Sequence, residues 1–307
     1  MAAGSLSAPL TARAAYAPPQ ASIVVDAATG AVLSENRADE PRHPASLAKL
    51  ITLLIVFDSL RNGNLTLDQK ITISDNAAST DGGNLNLKAG DQITVEEAIL
   101  AMTVKSANNV SVAMAEALSG SESGFAVIMN KKAQEAGMKR SHFTNASGLP
   151  DNAQITTARD MAVLARYILT DYKEFYPYFS RTEFTFRGQV IRGHNGLLNK
   201  GRIDGIKTGF ILASGFNIVA STLRAGQRLI GVVFGGRSAP ERDAEMDSLL
   251  SEAFKILATR QQAEEQAKEQ ARKEAQKEIP IAQDGGNVPP PSPAPEQPKP
   301  PSAPVPL

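Results

Sequence analysis

Three short stretches of this chain carry side chains whose types and spacing suit acyl transfer. The first is Pro44-Ala45-Ser46-Leu47-Ala48-Lys49, a hydroxyl and an amine three residues apart at the head of a long apolar run. From Leu47 to Leu60 the sequence is rich in Leu, Ile, Val and Phe and has neither Gly nor Pro, which predicts a buried helix opened by Ser46. Residues three apart share a helix face, so Lys49 reaches the Ser46 hydroxyl, and the pair is a nucleophile with its own base. The first N–H groups of a helix have no intrahelical partner, so an oxyanion formed beside Ser46 meets donors already in place. Alone, such a pair reads as a capping serine followed by a solvated lysine.

The second stretch, Ser106-Ala107-Asn108, falls between two helical patterns. The third, Lys207-Thr208-Gly209, lies inside the strand pattern Gly205–Ile211. On a strand Lys207 and Gly209 share one face and Thr208 takes the other. Gly209 leaves room for a ligand to approach the backbone, and an edge there can pair with an extended peptide. By itself the triplet is an edge strand with a protective lysine.

The elements that must position these groups can be placed from periodicity. A hairpin is expected at 22–35, followed by the helix from Leu47 to Leu60 and a polar loop from Asp75 to Gly90. Thr94 and Glu97 form a capping-box pattern ahead of a helix from Val95 to about Thr103, and a further helix runs from Val110 to Leu118 with Gly120 as its stop. Helices are expected at Phe125–Ala136 and at Ala158–Leu169, the latter with Thr157 and Asp160 as a capping pair. The period then changes to strands at 183–186, 189–192, Gly205–Ile211, Phe216–Leu223 and Leu229–Gly235, closed by a helix at about Ala244–Leu257. Strands at both ends around a helical block predict an α+β fold, one antiparallel sheet built from N- and C-terminal strands and flanked by helices.

Composition narrows the chemistry. The 307-residue chain has zero net charge, so nothing in it points to nucleic acid or an anionic membrane surface. It has no cysteine, which excludes disulfides and thiol catalysis, and His43, His142 and His194 are scattered without metal-ligand spacing, so neither a metal nor another cofactor is expected. No apolar run approaches the roughly 20 residues of a membrane span. Residues 1–20, Ala- and Pro-rich, read as a flexible leader or signal-peptide remnant, with Ala12–Ala17 as a possible small-residue end. The catalytic domain is expected over 21–258. Residues 259–280, almost all Ala, Gln, Glu, Lys and Arg, predict a solvated charged helix, and 281–307 a Pro-rich disordered tail.

S-x-x-K opening a helix, S-x-N in an interhelical turn and K-T-G on a late strand, in that order, form the signature of serine penicillin-recognising enzymes. The segments Phe143-Thr144-Asn145-Ala146-Ser147-Gly148-Leu149, Thr157-Ala158-Arg159-Asp160-Met161-Ala162, Asn195-Gly196-Leu197-Leu198, Asp204–Gly209 and Gly235-Gly236-Arg237 narrow the match. Over about residues 20–255 the chain resembles the D-alanyl-D-alanine carboxypeptidases among the low-molecular-mass penicillin-binding proteins. It departs from the family where Ala107 replaces a frequent Gly, an acceptable change unless the turn needs positive φ, and where a charged helix and Pro-rich tail stand in place of the usual further domain or anchor.

The resemblance implies a β-lactamase/transpeptidase-like fold and a cell-envelope or periplasmic protein that removes the terminal D-Ala from peptidoglycan stem peptides. Ser46 would be the nucleophile, Lys49 its base and Ser106 the proton relay. Asn108 would hold Lys49 and the substrate amide, Lys207 would set the field, Thr208 and Arg237 would bind the terminal carboxylate, and Gly209 would admit the substrate. The backbone N–H groups of Ser46 and Phe210 would form the oxyanion hole. β-Lactams would acylate the same serine. A D,D-endopeptidase uses the same machinery. A class A β-lactamase adds a deacylating Glu, yet no Glu occurs between Glu135 and Glu174, and a non-catalytic binding protein would have lost one of the five key side chains.

Overall fold

The computed structural model describes residues 17–277; the predicted leader, up to residue 16, and the Pro-rich tail lie outside the described residues. The chain divides into two compact units at Ala258/Thr259. In the first, β1 (Ala21–Asp26) and β2 (Val32–Asn36) form the expected hairpin. A 3₁₀ turn, Ala45–Ala48, leads into α1 (Lys49–Arg61). Ser46 therefore sits in the tight turn ahead of the α-helix, and Lys49 rather than Ser46 opens it. Nine consecutive residues, Lys49–Phe57, are buried, as befits a helix apolar on every side.

The stretch that reads as a loop from Asp75 to Gly90 begins with a short helix, α2 (Asp75–Ala78), and is framed by a small sheet of β3 (Lys70–Thr72) and β4 (Gln92–Thr94). The Thr94–Glu97 capping box is formed at the head of α3 (Val95–Leu100), which passes into a π-helical turn, Ala101–Lys105. Then come α4 (Asn108–Ser119), α5 (Glu122–Glu135) and α6 (Ala158–Asp171). Thr157 caps α6 by accepting from Asp160 N–H, but the Asp160 carboxylate turns outward to the backbone of Lys139 and Arg140, so the expected reciprocal pair is one-sided.

A 3₁₀ segment, Lys173–Ser180, precedes the hairpin of β5 (Glu183–Phe186) and β6 (Gln189–Arg192), and α7 (Gly196–Asn199) precedes β7 (Gly205–Ile211). β8 (Gly215–Arg224) and β9 (Gln227–Gly236) complete a five-stranded antiparallel sheet in the order β2-β1-β9-β8-β7. One sheet built from strands at both ends is what the sequence predicts; within it the first described strand pairs with the last, and β7 lies at a free edge.

The sheet separates two cores. Ile23 and Val25 of β1 join α1, α4 and α6, whereas Val24 turns to the other face with Ile218, Val233, Met246 and Leu250. Met246 and Leu250 belong to α8, which runs without a break over Ala239–Lys277 where two separate helices are expected. Its sequence after Pro240 contains no Gly or Pro to stop it. In the second unit its described residues, 259–274, are all exposed. Among the described residues no helix is long and apolar enough to cross a membrane.

Candidate active site

The three motifs converge on one cavity of about 480 Å³ lined by Ser46, Ser106, Asn108, Thr208, Gly209 and Phe210. The tight turn and the head of α1 bring the Lys49 amine to 3.2 Å from the Ser46 hydroxyl. Lys49 is fully buried and meets two further oxygens, Asn108 Oδ1 at 2.6 Å and the Ser147 carbonyl at 2.5 Å. Burial, with the charge of Lys207 added to it, holds its pKa well below the usual lysine range. A neutral amine has two N–H donors and one lone pair. Two acceptors that take both donors leave that lone pair for the third neighbour, the Ser46 hydroxyl.

Ser106 ends the π-helical turn with a left-handed backbone, φ 61°, while Ala107 is extended at φ −65°. The departure at Ala107 is therefore harmless, because the positive φ falls on the serine. For a residue other than glycine that conformation is costly and collects at functional sites. It turns the Ser106 hydroxyl to accept from Lys207 Nζ at 2.9 Å. Asn108 opens α4, its Oδ1 on Lys49 and its Nδ2 donating to the Asp81 carbonyl at 2.8 Å, so the loop at Asp81–Gly83 forms a second wall.

β7 supplies the third wall. Lys207, buried, donates to Ser106 Oγ and to the Thr208 carbonyl, and burial together with the Arg242 charge pushes its pKa down to about 7. Gly209 is not an opening for a ligand. A Cβ there would lie 3.0 Å from Ser46 N and 3.2 Å from Leu47 N, so the missing side chain makes room for the backbone of the nucleophile turn itself. Phe210, half exposed, packs on Phe216 with tilted rings 4.3 Å apart between centroids and lines the cavity.

Arg237 is not brought into the cavity. It is the first residue past β9, its side chain is 61% exposed, and it pairs one helical turn ahead with Glu241 at 2.9 Å. The arginine that lines the cavity is Arg242, 3% exposed, holding Asp243 at 2.6 Å and the Asn217 carbonyl at 3.1 Å. Its signal in the sequence is a position on one helix face with the apolar Met246 and Leu250. His194, adjacent to the Asn195-Gly196-Leu197-Leu198 run, also lines the cavity. Partial burial and the neighbouring lysines and Arg242, Lys207 foremost, push its pKa down to about 4, so it is neutral at pH 7. No acidic side chain lines this cavity. The arrangement offers a hydroxyl nucleophile with a neutral amine base, a second hydroxyl held by a lysine, and a cationic wall for an anionic group.

Residues 9–238 match the protein family described as D-alanyl-D-alanine carboxypeptidase. D-alanyl-D-alanine carboxypeptidase DacA of Escherichia coli is 36% identical over 245 residues, 77% of this chain and 61% of the relative, so the chain spans about three-fifths of that relative's length. The crystal structure of the D-alanyl-D-alanine carboxypeptidase DacD from Francisella tularensis superposes with a TM-score of 0.73 at 31% identity, covering 81% of this chain and 74% of that one. Penicillin-binding protein D2 from Listeria monocytogenes, solved in an ampicillin-bound form, gives a TM-score of 0.70 at 28% identity, covering 76% of this chain and 96% of that one. With the sheet built from both chain ends and the three motifs gathered at one cavity, the chain belongs to the D-alanyl-D-alanine carboxypeptidase family of serine peptidases.

Proposed function

We propose that this protein is a serine D,D-carboxypeptidase of the bacterial cell envelope that removes the terminal D-Ala from peptidoglycan stem peptides. The observation that carries the reading is the Lys49 amine, buried, 3.2 Å from Ser46 Oγ and held by two oxygen acceptors. Lys49 takes the Ser46 proton as the hydroxyl oxygen attacks the penultimate D-Ala carbonyl. The oxyanion is met by the backbone N–H groups of Ser46 and Phe210. The proton passes through Ser106 to the departing D-Ala nitrogen, the C–N bond breaks, and water then cleaves the acyl-serine ester. Lys207 leaves the Ser106 O–H free for that transfer by donating to its oxygen. Thr208 and Arg242 lie on the cationic wall suited to the substrate carboxylate, and Arg242 takes the role that the sequence assigns to Arg237. A β-lactam acylates Ser46 by the same attack, and the ampicillin-bound relative supports that expectation.

Intact mass after benzylpenicillin is the test, with Ser46→Ala as control. A one-to-one adduct lasting many minutes and absent from Ser46→Ala is expected, together with D-Ala release from a stem pentapeptide. An adduct cleared in seconds means a β-lactamase, and no adduct means a binding role. Faster cleavage of a crosslinked dimer than of the pentapeptide marks an endopeptidase.

A further inference from the structure

The Ser147 carbonyl, one of the two acceptors on Lys49, belongs to the segment 143–149, and that segment is tied to the rest of the protein by bonds unrelated to the three motifs. Thr52, fully buried and one turn beyond Lys49 on α1, donates its hydroxyl to the preceding carbonyl, Ala146 O, at 2.8 Å. Two consecutive carbonyls are therefore read by two side chains one helical turn apart. At the other backbone group of the same residue, Glu122 Oε1 accepts from Ala146 N–H at 3.0 Å, so Ala146 is held through the peptides on both sides of its Cα. The approach to the segment is fixed as well, since Gln154 Oε1 accepts from the N–H groups of both Thr144 and Asn145 at 3.1 Å.

Glu122 stands in the first turn of α5, behind the capping Ser121. An acidic residue there ordinarily serves the helix dipole. Its carboxylate instead reaches across to a neighbouring segment, half-buried and within the field of Glu116 of α4, and burial raises its pKa against the lowering effect of the Ala146 N–H bond, with the like charge of Glu116 adding to the rise. Such a group does little for the helix alone and is useful if the Ala146 backbone must not move.

We infer that Glu122 is a positioning residue for the acylation step, fixing the Ala146 backbone from its N–H side and through it the following Ser147 carbonyl that aims the Lys49 lone pair at Ser46. The inference rests on the acyl-enzyme reading above. Without the carboxylate the Ala146 backbone is held at its carbonyl alone, and the Ser147 carbonyl that orients the base, whose own peptide donates Gly148 N–H to Asn145 Oδ1 at 2.8 Å, loses part of the support behind it. Misplacing a catalytic group by a fraction of an ångström lowers the rate of the chemical step while leaving substrate binding largely intact.

The test measures acylation by benzylpenicillin and the kcat and KM of D-Ala release for the full chain and its variants, with thermal unfolding alongside. Glu122→Ala lowers the acylation constant and kcat about tenfold and leaves KM within about twofold. Glu122→Gln, which keeps an amide oxygen as acceptor, recovers most of the loss. Thr52→Val, nearly isosteric, gives a similar fall in kcat from the carbonyl side of Ala146, and the double variant loses less than the product of the single losses because both act on the backbone of one residue. Should Glu122→Ala fail to fold, Thr52→Val reads the same residue. A folded Glu122→Ala with parental kcat, or a Glu122→Gln no better than Ala, overturns the inference while the parent's own adduct still stands. A parent that forms no adduct overturns the acyl-enzyme reading and this inference with it.

Discussion

Lys49 and Lys207 bring two amines into one water-poor cavity, and Arg242 adds a fixed cation beside Lys207. The first consequence is kinetic. Lys49 serves as a base only when neutral, so acylation by benzylpenicillin falls on the acid side, by about tenfold per pH unit once Lys49 is mostly protonated. Lys49→Ala loses that limb and about 10²–10⁴-fold in rate, which stopped-flow acylation across pH reads directly. The second consequence is for stability. The folded-state pKa of Lys207 is about 7, against an unfolded value of about 10.4. Between these pH values the unfolded chain binds more protons, so stability rises with pH through this window, by at most about 1.4 kcal/mol per unit from this group. Denaturant unfolding of the parent and Lys207→Met at pH 7 and pH 9 should show the parent gaining relative to the variant; a constant difference would mean that Lys207 is not a depressed base. That two crowded lysines share such a site is implied by the family resemblance that the three motifs carry. Arg242 and His194 cannot be read this way, because nothing local marks a lone Arg or His as facing a cavity assembled from distant elements.

At the scale of elements, two glycines set how closely neighbours approach the nucleophile. Gly209→Ala would place a Cβ 3.0–3.2 Å from the backbone of Pro44, Ser46 and Leu47, and the turn must shift by a few tenths of an ångström. Acylation is expected to fall roughly 10–100-fold with a stability loss of only about 1 kcal/mol, checked by acylation kinetics and thermal unfolding on the same sample. Gly148 is more demanding. It has φ +87°, and a Cβ there would lie 1.8 Å from the Ala45 carbonyl, so Gly148→Ala should cost roughly 3 kcal/mol or more in denaturant unfolding. Elements whose signal is local were legible: β5, β6 and β7 fall where alternation and the Arg187-Gly188 turn predict them. Elements made by contact were not. Three-residue β4 exists because β3 lies beside it, and the left-handed Ser106 aims its hydroxyl at a lysine about a hundred residues further along the chain, on β7. The same holds for Gly209, whose open side is legible but whose occupant is the protein's own backbone.

For the molecule as a whole, every residue of the candidate site lies before Ala258, within the first compact unit. A chain ending at Ala258 should therefore acylate with benzylpenicillin within about twofold of the full chain. A larger loss, seen by intact mass over time, would assign the following helical residues a part in catalysis. The sheet was legible because its strands cluster at the two ends of the chain, which leaves few ways to bury both faces. That same pairing of β1 with β9 has a consequence for synthesis. Ala21–Asp26 leaves the ribosome about two hundred residues ahead of its central partner, Gln227–Gly236. Long-range pairing of this kind delays folding until both segments are present. Nascent chains stalled before Gln227 should stay sensitive to protease and chains stalled well after Gly236 should not, so the growing polypeptide depends on whatever shields an unfolded chain until that strand emerges.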